Sequence, residues 1–173
     1  MELLIGCGSN RDKKLSVPNR ADWCGLVTLD YVESHKPDVV FDLNNTHLPF
    51  DDDSADEIHA YECLEHVGAQ GDYKFFFAQF SDFWRVLKDG GVLFGTVPLP
   101  SSAWAWGDPS HTRVIQKESF IFLSQPNYEQ VGITPMSDFR SIYKADFDVI
   151  HLNENGDCLE FALKAVKPSR IKQ

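Results

Sequence analysis

The sequence predicts a single α/β domain over residues 1–173, built on a mostly parallel open sheet that ends in an antiparallel hairpin, with reduced helices on one face. Three observations carry this. Short apolar runs recur through the first hundred residues, each closing on a polar or turn residue; one long amphipathic helix precedes the fifth run; and an Asn-Gly step divides two strand-like runs near the C-terminus.

Taken in order, Leu3-Leu4-Ile5 stops at Gly6, which reads as a buried parallel strand feeding a glycine turn. Leu26 to Leu29 closes on Asp30, Val39 to Phe41 on Asp42, Ile58 to Tyr61 on Glu62, and Val92 to Val97 on Pro98. In an open parallel sheet such strand ends line one crevice. Between Asp72 and Lys88 the apolar residues Tyr73, Phe76, Phe77, Phe80, Phe83, Trp84 and Leu87 recur at helical spacing, so this stripe is core. Asp89-Gly90-Gly91 then supplies a helix stop with glycine for a left-handed cap. Phe147 to Leu152 and Cys158 to Val166 flank Asn155-Gly156, a hairpin turn. The stretch from Ser9 to Gly25 contains Pro18 and little helical periodicity, and the gap from Asp30 to Asp38 is too short for an ordinary crossover helix. One sheet face is therefore expected to be thinly covered, and to be closed by Glu118 to Lys144 or by a second copy of the chain, a homodimer.

Composition narrows the function classes. A chain of 173 residues, 43% hydrophobic and 24% charged with 13 Phe and 4 Trp, has enough apolar mass for one real core, which excludes disordered and fibrous classes. The net charge of -10 argues against a nucleic-acid partner, because phosphate binding relies on Lys and Arg. Cys7, Cys24, Cys63 and Cys158 show no C-x-x-C spacing, so neither a zinc knuckle nor a disulfide framework is signalled, and no metal ligands are assigned. The chain opens on Met-Glu-Leu-Leu-Ile without a charged leader and has no apolar run of membrane-spanning length; a soluble, cytoplasmic protein with no membrane partner is expected.

Gly6-Cys7-Gly8-Ser9-Asn10 follows the first strand directly, and glycines there permit a sharp turn and close approach of a ligand. Alone, a plain turn explains them as well as a nucleotide site does. Asp30 lies 22 residues beyond Gly8, at the end of the second strand, where a carboxylate can accept both hydroxyls of a ribose; a surface acid or helix cap is the alternative.

Leu-Leu-Ile-Gly-Cys-Gly, Leu29-Asp30, Asp42-Leu43 before Leu48-Pro49-Phe50, Glu62-Cys63-Leu64-Glu65-His66-Val67 and Arg85-Val86-Leu87-Lys88-Asp89-Gly90-Gly91 together resemble the successive motifs of class I S-adenosylmethionine-dependent methyltransferases. They run in the family's order over Leu3 to Val97, and the terminal hairpin resembles its last two strands. The resemblance implies a Rossmann-like fold with S-adenosylmethionine as cofactor. It implies that Gly6, Cys7 and Gly8 pass under the methionine moiety, that Asp30 holds the ribose, that Asp42 and Leu43 meet the adenine, and that Glu62 lies near the sulfonium and ammonium. Asn10 stands where the family commonly carries a third glycine, and the helices that usually precede the first strand and follow the second are absent or short. Asp42 before Leu-Asn-Asn is equally good turn chemistry, and Glu65 and His66 read as structural.

After the fifth strand, the loop from Leu99 to Arg113 carries Trp104, Trp106, Asp108, His111 and Arg113. Aromatics there suit substrate walls or packing over the thin face, and similar Asp-Pro-x-His-x-Arg stretches recur in some small methyltransferases. Methyl transfer to a hydroxyl needs a proton acceptor, and His111 is the candidate base, pinning of the loop through Asp108 being the alternative. The expectation is O-methylation of a small-molecule or glycan substrate, with Trp104, Trp106, Asp108 and Arg113 facing the acceptor. A cofactor-binding sensor or accessory subunit is the rival. A nicotinamide-dependent dehydrogenase is disfavoured because Ser9-Asn10-Arg11-Asp12 lacks the further glycine.

Overall fold

A computed structural model describes residues 1–16 and 22–172. Residues 17–21, including Pro18, lie outside the described residues.

The strands are β1 (Glu2–Ile5), β2 (Leu26–Asp30), β3 (Val39–Val40), β4 (Ala55–Tyr61), β5 (Leu87–Pro98), β6 (Phe147–Asn155) and β7 (Cys158–Ala165), with helices α1 (Tyr73–Val86) and α2 (Ala103–Gly107) between β4 and β6. Among the described residues they form one seven-stranded sheet in the order β3-β2-β1-β4-β5-β7-β6. The first five strands are parallel, and β7 runs antiparallel between β5 and β6. The order reverses between β1 and β4, so their C-terminal ends open onto the crevice where ligands bind in such sheets.

The α1 face carries the main core. Leu3, Ile5, Leu29, Ile58 and Leu93 point to it and meet Phe77, Phe80 and Phe83 of the helix, all buried. Asp72 caps the helix by accepting from Phe75 N at 3.0 Å. Its C-terminus differs from the expected glycine cap: α1 ends at Val86, and Leu87 is already extended and pairs with Ala55. Burying Leu87 in the sheet outcompetes another helical turn, and Gly90, at φ +75°, falls inside β5 where the pairing with β4 shifts register.

The segment from Glu118 to Lys144 also packs on the α1 face, not on the thin one. Phe120 sits 4.7 Å from Phe161 and 6.3 Å from Phe80, and Tyr143 lies 5.0 Å from Phe77. It follows its aromatic partners, which all point to that side.

Over β1 and β4 the opposite face is covered, among the described residues, by Lys13, Leu15 and Trp23, held by a buried polar network. The Lys13 ammonium, fully enclosed, lies 2.8 Å from Glu2 Oε2 and 2.6 Å from Glu57 Oε2. Tyr61 Oη accepts from the backbone amides of Lys14 and Leu15. Its own hydroxyl then donates to His59 Nδ1 at 2.6 Å, leaving Nε2–H to donate to Glu57 Oε2 at 3.0 Å. That assignment makes His59 neutral, and burial pushes its pKa down to about 4. Trp23 packs edge-on against the imidazole and Phe94 stacks on it. Over these two strands the chain covers the face itself, where the sequence predicts closure by Glu118 to Lys144 or by a second copy.

Candidate functional site

Gly6 begins the site. It leaves β1 at φ +59°, and a Cβ there would stand 2.5 Å from Cys63 Cβ, so the turns after β1 and β4 touch only because residue 6 has no side chain. Gly8 N donates to Asp30 Oδ2 at 2.8 Å, and Val32 N donates to Asp30 Oδ1 at 2.8 Å. The acid that ends β2 is thereby aimed back over the glycine turn, with His35 Nδ1 3.3 Å from Oδ1.

A cavity of about 530 Å³ lies over these strand ends. Gly6, Gly8, Asp30, Asp42, Leu43 and Glu62 all line it. Asp42 is also the turn residue of the alternative reading, since its Oδ1 accepts from Asn44 N at 2.9 Å, and Asn44 Oδ1 in turn accepts from Gly68 N. Glu62 holds a left-handed backbone at φ +49°, uncommon outside glycine, and its buried Oε1 has no hydrogen-bond partner among the described residues. Three carboxylates face the cavity, while its described lining contains no Lys or Arg, so the wall suits a cationic ligand and opposes a pyrophosphate.

Cys7 is placed differently. Its side chain packs with Leu4 and Tyr61 on the opposite sheet face, where burial raises the thiol pKa, and only its backbone borders the turn, Cys7 N donating to Leu29 O. Strand alternation would have set residue 7 beside Leu3 and Ile5; β1 ends at Ile5, and the left-handed turn at Gly6 breaks the alternation and sends the side chain to the other face.

The loop expected to face the acceptor divides in two. Its first part is ordered as α2, with Ser102 Oγ accepting from Trp104 N, and it presents Trp104 and Trp106 outward at 66% and 70% exposure, away from the cavity lining. Its second part is stitched onto the 3-10 turn Leu64–His66, Thr112 N and Arg113 N both donating to Glu65 O. Arg113 is buried, at 6% exposure: Nε donates to Leu64 O and Nη2 to Gln79 Oε1, and burial brings its pKa down to about 10. It braces the turn and does not line the cavity. Asp108 accepts from Ser110 N and Oγ, which holds its pKa down and fixes Ser110 at the cavity rim. His111 stands one layer back, Nε2 3.8 Å from Asp108 Oδ2, its ring edge-on to His66 at 4.6 Å between centroids.

It is His66, read as structural from the sequence, that lines the cavity, with Nδ1 3.1 Å from Ser110 Oγ and 3.3 Å from Ser110 O. Glu65 beside it is 2% exposed, with no hydrogen-bond partner for either carboxylate oxygen among the described residues. Burial pushes its pKa up to about 8, with Glu62 adding to the rise and Arg113 opposing it. Tyr31, His35, Phe41, Asn44 and Ser110 join the lining unforeseen. Tyr31 and Asn44 adjoin Asp30 and Leu43, and that adjacency is the signal by which a sequence could have found them.

Comparison with known proteins agrees with the geometry. The sequence model of the family described as "Methyltransferase domain" matches residues 3–95. No curated protein sequence matches the chain. Among solved structures, an S-adenosylmethionine-dependent methyltransferase from Archaeoglobus fulgidus is similar at 15% identity and TM-score 0.55, over 94% of this chain and 85% of that one. The putative methyltransferase complex with the Trm112 activator from Haloferax volcanii gives 15% and 0.56, over 95% and 82%. Phosphoethanolamine N-methyltransferase 1 of Haemonchus contortus, bound to phosphoethanolamine and S-adenosylhomocysteine, gives 13% and 0.59, over 99% and 40%. At these identities the likeness is one of fold. Among the described residues no helix is long and apolar enough to cross a membrane.

Proposed function

The chain belongs to the methyltransferase-domain family, whose methyl donor is S-adenosylmethionine, and from that premise we propose that it methylates a hydroxyl of a small-molecule or glycan acceptor. One observation carries the reading: the glycine turn and the Asp30 carboxylate, joined by the 2.8 Å bond from Gly8 N, open into the same cavity as Glu62. Asp30 takes the ribose hydroxyls, Asp42 and Leu43 the adenine, and the turn at Gly6 and Gly8 the methionine moiety. Glu62, with its unpartnered oxygen, faces the positively charged end of the donor.

Transfer is an in-line displacement. The acceptor oxygen bonds to the methyl carbon as the carbon–sulfur bond breaks, and the sulfur keeps the electron pair as S-adenosylhomocysteine. The hydroxyl proton leaves toward His66 at the cavity rim, with the His111 ring edge-on behind it. The acidic wall explains the choice of donor over a nicotinamide dinucleotide, whose pyrophosphate would meet three carboxylates there.

Calorimetric titration with S-adenosylhomocysteine tests the cofactor side. Asp30→Ala should weaken binding about 10- to 100-fold, the range for loss of charged hydrogen bonds. Release of S-adenosylhomocysteine across a panel of hydroxylated acceptors tests the rest, and should fall in His66→Ala while cofactor binding persists. Binding without turnover on any acceptor would identify a sensor or accessory subunit instead.

A further inference from the structure

Behind the cavity rim lies a group of side chains whose polar atoms are poorly served by the protein. Ligand atoms of Glu65, His66 and His111 lie within 4.8 Å of one another. Glu65 is 2% exposed, its carboxyl set against the Glu62 carboxyl and the Arg113 charge but with neither oxygen in a well-formed hydrogen bond, and the buried Nδ1 of His111 has no hydrogen-bond partner among the described residues. Buried polar atoms without partners are scarce in folded proteins, and three of them here belong to one cluster. An oxygen stands behind each ring: His66 Nδ1 lies 3.3 Å from Ser110 O, and the Asp108 carboxylate lies 3.8 Å from His111 Nε2, beyond hydrogen-bond distance. Oxygens behind the rings are the arrangement that orients imidazoles as metal ligands and fixes which nitrogen carries the lone pair.

We infer that Glu65, His66 and His111 form a binding site for a divalent transition-metal ion of the zinc class. Two imidazoles and one carboxylate suit zinc, cobalt or iron(II) and disfavour magnesium or calcium, which prefer all-oxygen shells. Donors about 2.0 to 2.1 Å from a tetrahedral ion stand about 3.3 Å apart, so the three groups need to close by only about 1.5 Å, within side-chain rotation. Around the three groups Glu62 and Asp108 add negative potential, against which the buried Arg113 guanidinium, in electrostatic contact with Glu65, sets one positive charge. Because His66 and Ser110 line the cavity, the ion lies at its wall. Its use on an acceptor rests on the methyltransferase reading, whereas its binding does not. With the ion bound both imidazoles are occupied as ligands, so an acceptor hydroxyl made more acidic by the metal would lose its proton to bulk water at the cavity mouth. The pair of histidines is needed either way, so metal binding itself separates the two roles.

The test is titration of the full chain, without cofactor, with zinc by calorimetry and with cobalt by its visible ligand-field absorption. One ion is expected to bind per chain, magnesium should not displace it, and Glu65→Gln, His66→Ala and His111→Ala should each weaken binding by at least about 100-fold, beyond the roughly 10- to 100-fold cost of disturbing a supporting partner such as Asp108. His151→Ala, an exposed histidine of β6, should change nothing. Because His66 is exposed, its variant folds even where burial makes the other two fragile. Absence of saturable zinc binding to the unaltered chain overturns the inference, and so does binding that persists in Glu65→Gln and His66→Ala but follows the exposed thiol of Cys24. Binding of S-adenosylhomocysteine to the same samples keeps the two readings apart. Intact cofactor binding without zinc binding removes only the metal, and the converse removes only the cofactor reading.

Discussion

Acidification should act on this fold through one buried histidine, and the structure sets the size of the effect. His59 is neutral in the fold, with Nδ1 receiving the Tyr61 hydroxyl and Nε2–H donating to Glu57, enclosed by Trp23 and Phe94. Desolvation lowers its pKa from 6.5 to about 4, so between those values the unfolded chain binds a proton that the fold refuses. The sign follows. This contribution is fully present above pH 6.5 and is lost as pH falls through the folded value near 4. Linkage over the range from about pH 7.5 to about pH 4.5 amounts to roughly 2 to 3 kcal/mol. Carboxylates titrate over the same range, so the measurement is a difference: urea unfolding of the unaltered chain and of His59→Gln at both pH values. At neutral pH the variant should be the less stable, having lost packing and the donor to Glu57. At about pH 4.5 that gap should narrow by roughly 2 to 3 kcal/mol, because only the unaltered chain carries the linkage. A gap that stays constant or widens refutes a neutral, desolvated His59 and with it the network holding the cover of this face.

Gly6→Ala should destabilise the chain by about 1 to 3 kcal/mol from the left-handed backbone, with more from contact at Cys63 Cβ, and should abolish measurable S-adenosylhomocysteine binding; an unchanged Tm would refute the close approach. Lys13→Met removes the ammonium between Glu2 and Glu57 and should cost about 3 to 5 kcal/mol in urea unfolding, a loss below about 1 kcal/mol showing that the pair is not load-carrying for the cover. Arg113→Met should lower stability by about 2 to 4 kcal/mol through Leu64 O and Gln79, yet leave S-adenosylhomocysteine affinity within about threefold. A normal Tm with a raised KM for the acceptor would return Arg113 to the substrate role that its motif suggests.

Much of the sheet was legible because each strand writes its own local pattern. The runs ending at Ile5, Asp30, Tyr61 and Val97 are strands in the structure, and the helical stripe from Tyr73 to Trp84 is α1. Asp30 and Glu62 were legible as cavity residues for the same reason, since a residue that ends a parallel strand at the switch point has little choice of where to face. The end of α1 was not legible. Asp89-Gly90-Gly91 is a sound stop signal, but the earlier break at Leu87 is decided by its pairing with Ala55, 32 residues upstream.

The same division runs through the site. By itself the sequence determined which backbone could make the turn at Gly6, which acids end the strands, and therefore the family and its donor, all properties of short segments. Only the tertiary structure decided that Cys7 turns to the far face, that Trp104 and Trp106 look outward while Arg113 is buried, and that Glu65, His66 and His111 meet. Burial and partnership depend on what a distant segment brings alongside, and a residue's neighbours in space are not written in its neighbours along the chain.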